Sequence, residues 1–174
     1  NEKVILVKGK LTIRPGKGQA IELSDKVIIV EGNLDIEVKN DAAANFLNCV
    51  FVVDGAVKVS GSINKQLPNP DNNIVLFVSS ADIDVTKVEL ADGYSEESIF
   101  FGGRLLLFSQ KNVHIGAANL KQRFLMNGTI IADYLYLNMC DLHYVPDIFD
   151  EYGDMLGLGV VIKEWLNPWR PQQQ

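Results

Sequence analysis

The sequence predicts an all-β protein, a single-stack parallel β-solenoid (β-helix) of about six coils with a short helix and strand capping its C-terminal end. Three observations predict this class. ILVKGKLTI at 5–13, IIVEGNLDI at 28–36 and FVVDGAVKV at 51–59 are variants of one nine-residue pattern, each beginning 23 residues after the last. A glycine holds the same place in every copy: Gly9, Gly32 and Gly55. After that glycine, aliphatic and polar residues alternate with period two, as in a strand with one buried face.

With the glycine as the origin of a coil, the pattern continues with Ala81, Lys111 and Asp133 in the same slot. Two places later stand Leu11, Leu34, Val57, Ile83, Val113 and Leu135, and four places later Ile13, Ile36, Val59, Val85, Ile115 and Leu137. All are aliphatic, so each series reads as one inward column. The spacing separates a solenoid from a meander. Antiparallel neighbours recur every 8 to 12 residues or so, whereas a chain that completes a circuit before repeating stacks equivalent strands in parallel, about 4.8 Å apart. Short apolar runs between the repeats, AIEL and NFL, belong to the rest of each circuit.

The later, longer intervals are read as excursions. NKQLPNPDNN at 64–73 and TKVELADGYSEESIFFGG at 86–103 carry the Pro, Asn and Gly that interrupt a ladder, and loops on the side of a stack are where ligands are met. The solenoid is assigned to 1–145 and a C-terminal cap and tail to 146–174. In PDIFDEYGDMLG, Ile148, Phe149, Tyr152, Met155 and Leu156 have helical spacing, with Asp147 as cap and Gly157 as stop. VVIKEWL at 160–166 reads as one more strand. A helix there would cover the unpaired edge of the last coil.

At 174 residues, 47% of them hydrophobic, the chain is sized for one packed domain. Its net charge of −6 gives no reason to approach nucleic acid or anionic lipid. No apolar run is long enough to span a membrane. Neither cysteine has metal-ligand spacing, and Cys49 and Cys140 lie about three coils apart, roughly 14 Å along the axis and beyond disulfide reach.

Ahead of the glycine the alternation fails. Leu6, Ile29, Val52, Val78, Phe108 and Ile130 fall on the outward parity yet are all apolar. Such a stripe left in water forgoes roughly 1.5 to 3 kcal/mol per side chain. Either the chain covers it internally, by a bend at each glycine or by its own helix and loops, or a protein partner docks along it.

Other chemistry is sparse. Tyr134 and Tyr136, with His114 beside Tyr136 in the outward row, form a platform on which a sugar ring could stack, or rings that close the end of the stack. Asp82 and Asp84 point the same way on one coil, as a carbohydrate-active β-helix requires of its carboxylates. Asp147, Asp150, Glu151 and Asp154 share a helix face that would suit calcium or simply water. Asn127-Gly128-Thr129 matches a glycosylation acceptor. No serine or cysteine is placed for a triad with His114 or His143, and no catalytic residue, metal or cofactor is assigned.

GGRLLLFSQKNVHIGAANLKQRFLMNGTIIADYLYLNMCDLHY, with VVDGAVKVSGSI, LFVSSADIDV and KEW, resembles in cadence the β-solenoid ectodomains of type IV pilus minor pilins and pilus-assembly proteins, over roughly residues 27 to 166. The resemblance implies a non-enzymatic structural or adhesive module, extracellular or at the cell surface. It also implies a pilin helix preceding this chain as the partner for the stripe. Bactofilin-like self-assembling scaffolds are the other comparison, although their repeats are more regular.

Overall fold

The structure, a computed structural model, describes residues 3–39, 41–65, 73–85, 98–116 and 123–145. Fifteen strands follow one another among them. The first two circuits each contribute three: β1 (Val4–Val7), β2 (Leu11–Ile13) and β3 (Ala20–Ser24), then β4 (Val27–Val30), β5 (Leu34–Glu37) and β6 (Ala43–Leu47). Next come β7 (Cys49–Val53), β8 (Val57–Ser60), β9 (Ile74–Ser79), β10 (Ile83–Asp84), β11 (Ser98–Ser109) and β12 (Asn112–Gly116). The last are β13 (Arg123–Ile131), β14 (Tyr134–Asn138) and β15 (Cys140–Tyr144).

These strands build three walls. The first holds β1-β4-β7-β9-β11-β13-β15, the second β2-β5-β8-β10-β12-β14, and the third β3-β6. Neighbours in every wall run parallel. The molecule is therefore a parallel β-solenoid. Six strands on the second wall are joined by five returns of the chain, so the stack makes about five turns.

The predicted column is present in register. Leu11, Leu34, Val57, Ile83, Val113 and Leu135 are successive partners on the second wall. Leu34, Val57, Ile83 and Val113 are fully buried, because each has a coil above and below it. The first wall supplies the opposing column, in which Phe51 and Phe77 stack at 4.9 Å, and Phe46 of the third wall meets Phe51 edge-on at 5.1 Å.

The recurring glycine answers to close approach at the corner between the first two walls. A Cβ on Gly32 would lie 2.8 Å from the carbonyl carbon of Gly9, and one on Gly55 would lie 2.7 Å from the Gly32 oxygen. Successive backbones touch there. In later coils, serines take over the same corner: Ser79 Oγ donates to Gly55 O at 2.6 Å and Ser109 Oγ to Ala81 O at 2.6 Å. At the entry to the first wall, Asp25, Asn48 and Met139 turn the chain in a single residue with φ of 53°, 50° and 50°. Asn and Asp tolerate that conformation better than most residues.

Four expectations change or fall outside the description. The register of the last coil is shifted by one, pairing Leu107 with Ile130 and Phe108 with Ile131. Ile130 thus packs against the interior, and Ile131 takes the outward row. The cause is a shorter corner: five residues lead from Phe108 to Val113, but four from the equivalent Ile131 to Leu135. Residues 98–103 are not part of an excursion either, since β11 runs through them and bulges only at Gly102–Gly103. The described stack makes about five turns where the spacing predicts six coils. The helix from Asp147 and the strand at 160–166 lie outside the described residues, among which there is no helix.

Candidate functional site

The outer face of the first wall carries two apolar rows. One is Leu6, Ile29, Val52, Val78, Phe108 and Ile131, and the other is Val4, Val27, Val50, Leu76 and Leu106, ending at Thr129. Only the first is visible before the register is known. The two ends of this face differ. Val4, Leu6 and Val52 are 53%, 54% and 36% exposed, while Leu76 and Leu106 are 0% and 1% exposed. Ile74, Leu76, Leu106 and Val50 form a second, small apolar cluster with Val27, Ile131 and Val145 at its edge. The second row is therefore buried from Val50 to Leu106 and the first is half-buried at Val78, Phe108 and Ile131, while an open apolar strip of Val4, Leu6 and Val52 remains at the β1, β4 and β7 end.

The outer face of the second wall is polar by comparison. Thr12, Asp35, Lys58, Asp84, His114 and Tyr136 succeed one another in register, as the sequence predicts. Its last rung is aromatic: the His114 and Tyr136 rings meet edge-on at 4.7 Å, and Tyr134 flanks them, paired with Asn112. Tyr134 and Tyr136 are both exposed. The structure thus brings the three platform residues together on one surface.

Other groups are engaged structurally. Asp82 Oδ1 accepts hydrogen bonds from Asn112 N at 3.2 Å and Asn112 Nδ2 at 2.8 Å, joining two coils. Thr129, in the glycosylation-type triplet, is buried and donates to Val145 O at 2.9 Å. Lys10, Arg14 and Lys17 of the first circuit form ion pairs with Asp35, Glu37 and Asp41 of the second. The Cys49 thiol is buried, lies within hydrogen-bond distance of Leu23 O and Leu47 O, and has its pKa raised chiefly by burial. Cys140 is half-buried, and desolvation raises its pKa as well. Both therefore hold their protons more firmly than an exposed thiol. They are free. Among the described residues no cluster of three or more His, Cys, Asp or Glu could hold a metal ion, and the acidic set from Asp147 to Asp154 lies outside them.

Sequence reasoning passed over a pair of asparagines. Among the described residues the third wall ends at β6, and no further strand pairs with that one. Asn64 and Asn73 supply the partners: Asn64 Oδ1 accepts from Phe46 N at 2.6 Å, and Asn73 Nδ2 donates to Phe46 O at 3.0 Å. Both lie at the ends of the Pro- and Asn-rich stretch, whose composition reads as loop and hides its two structural members.

Fold and surfaces together define the class: a repetitive parallel β-solenoid with one partly open apolar face and one aromatic rung. No protein-family model, curated protein or solved structure matches the chain. Among the described residues no helix is long and apolar enough to cross a membrane.

Proposed function

We propose that this chain is a non-catalytic structural or adhesive solenoid module, displayed at the cell surface by a pilus-associated protein. The first wall holds a protein partner over β1, β4 and β7. The observation that carries this reading is the open strip of Val4, Leu6 and Val52, an apolar surface on a face that the chain buries elsewhere. An apolar strip of this kind favours a partner of complementary shape, and a pilin-type helix has the right one. The cadence shared with pilus-associated ectodomains supplies the setting.

The test uses the full-length protein in cells. Leu6→Lys with Val52→Lys changes exposed positions only, so stability should move by no more than about 0.5 kcal/mol per site. Wild type should co-fractionate with sheared surface filaments and the double variant should not. Equal co-fractionation of the two would remove the first wall from consideration as the docking face.

The ring contact between His114 and Tyr136, beside exposed Tyr134, favours a second reading as a carbohydrate-binding solenoid. Aromatic faces contribute about 0.5–1.5 kcal/mol beyond their buried area. Tyr136→Ala should then abolish the glycan-array signal without shifting the melting curve; a signal that survives the substitution discounts the platform.

A further inference from the structure

The open strip on the first wall has two unlike borders. On one side of Leu6, Ile29 and Val52 lies the second row, which closes at Val50 into the small cluster with Ile74, Leu76 and Leu106. On the other side the chain enters the corner through Lys8, Glu31 and Asp54. These extend the ladder by one residue, since Glu31 N donates to Val7 O at 2.9 Å and Asp54 N to Val30 O at 2.8 Å. Alternation gives them the same outward parity as the apolar row, and all three side chains are exposed. Their charges are also uncommitted. Lys10, Arg14 and Lys17 of the first circuit are taken up by ion pairs with the second, whereas Lys8, Glu31 and Asp54 form no ion pair among the described residues, and Asp54 Oδ1 accepts only from Ser80 Oγ at 3.0 Å.

On the reading of the first wall as the docking face, we propose that its partner is an amphipathic helix lying along the stack axis, with basic residues flanking its apolar stripe over Glu31 and Asp54 and an acidic one over Lys8. Pitch selects a helix. From Leu6 through Ile29 to Val52 the row climbs two coils, about 9.6 Å at about 4.8 Å each. Two helical turns rise about 10.8 Å, so apolar side chains one turn apart stay within about 1.2 Å of the row. An extended segment repeats one face about every 6.7 Å and drifts by nearly 4 Å over the same distance. Width agrees with this, because Val4 and Leu6 are both exposed on the first coil and an apolar helical stripe is broad enough to cover two rows there. Charge selects the flank. The rim reads positive, negative, negative from the first coil to the third, so the helix that fits carries the opposite order along the side that meets it. Rim charges of this kind choose between partners more than they add affinity.

Two synthetic helical peptides of about 18 residues, some 27 Å long, test this against the 174-residue chain. They share one leucine stripe at i, i+3, i+4 and i+7, flanked by lysines in one and by glutamates in the other. By fluorescence anisotropy at low salt the lysine-flanked peptide should bind roughly tenfold more tightly, the combined effect of two exposed pairs, and the preference should shrink as salt is raised. Glu31→Lys with Asp54→Lys should reverse the order, and Lys8→Glu should tighten the lysine-flanked peptide further. Glu22→Lys with Asp133→Lys, exposed acids away from the strip, should leave the order as it was and so separates the rim from net charge. Equal binding of the two peptides, or an order unmoved by reversing Glu31 and Asp54, overturns the charge selection while leaving the docking face to the co-fractionation test. Failure of both peptides to bind overturns the helical occupant. So does binding that survives Leu6→Lys with Val52→Lys, which would place the peptide elsewhere. A photo-crosslinker at Val52 that captures residues 146–174 of the same chain, or a second copy, overturns it as well by naming a different occupant.

Discussion

Phe77→Ala is expected to lower stability by about 3–5 kcal/mol, the range for emptying a buried aromatic site that cannot collapse. Phe77 is fully buried, stacks on Phe51 with an interplanar angle of 11°, and through Phe51 reaches Phe46. These rings join the second circuit to the coil that follows it. A domain of this size holds a net 5–15 kcal/mol or so, so the loss should be plain in a urea or guanidinium titration. Because each coil of a solenoid contacts only its neighbours, the transition is also expected to lose cooperativity. Phe77→Leu, which keeps most of the volume, should cost about 1.5 kcal/mol or less. A fall of under about 1 kcal/mol for Phe77→Ala would mean that this site does collapse, contrary to the close packing expected of a core.

Asn64→Ala is the second large effect, expected at about 2–4 kcal/mol. Its side chain is 2% exposed, accepts from Phe46 N at 2.6 Å and donates to Gly102 O at 3.1 Å. Removing it leaves two groups on neighbouring coils without partners, at about 1–3 kcal/mol each. The backbone adds a smaller penalty, because φ is 56° at this position and alanine is strained there. Asn64→Gly separates the two contributions: it loses the same hydrogen bonds without the strain and should be less damaging than alanine by about 1 kcal/mol. Amide exchange at Phe46 is the local readout. Unchanged protection of that amide in Asn64→Gly would show that the asparagine does not hold the end of the third wall.

Sequence legibility varied from wall to wall. The second wall could be read in full, because period-two alternation and a nearly constant interval place Leu11 through Leu135 in one column without reference to anything distant. The first wall could be read only in part. Its outward stripe was visible as misplaced apolar residues, but its last member was misassigned, since nothing in IIADYL signals a corner one residue shorter than the one before it. Ile130 and Ile131 are chemically alike, so composition could not tell inward from outward. The third wall left only AIEL and NFL as traces, and its termination by Asn64 and Asn73 was hidden in a stretch that looks like a loop. The candidate surfaces follow the same division. Tyr134, Tyr136 and His114 share a face that the alternation predicts, whereas the burial of Leu76 and Leu106 on an outer face depends on parts of the chain far apart in sequence.

By itself the sequence determined that this chain coils: strand periodicity, circuit length and the glycine at the corner are local or regularly repeated, and their physics acts between identical positions one circuit apart. Tertiary structure alone decided which stretch of the first wall stays open and which polar residues pair with the last described strand of the third wall. Those outcomes turn on whether a particular surface meets another, and solvent exclusion is a property of the assembled stack rather than of any segment within it.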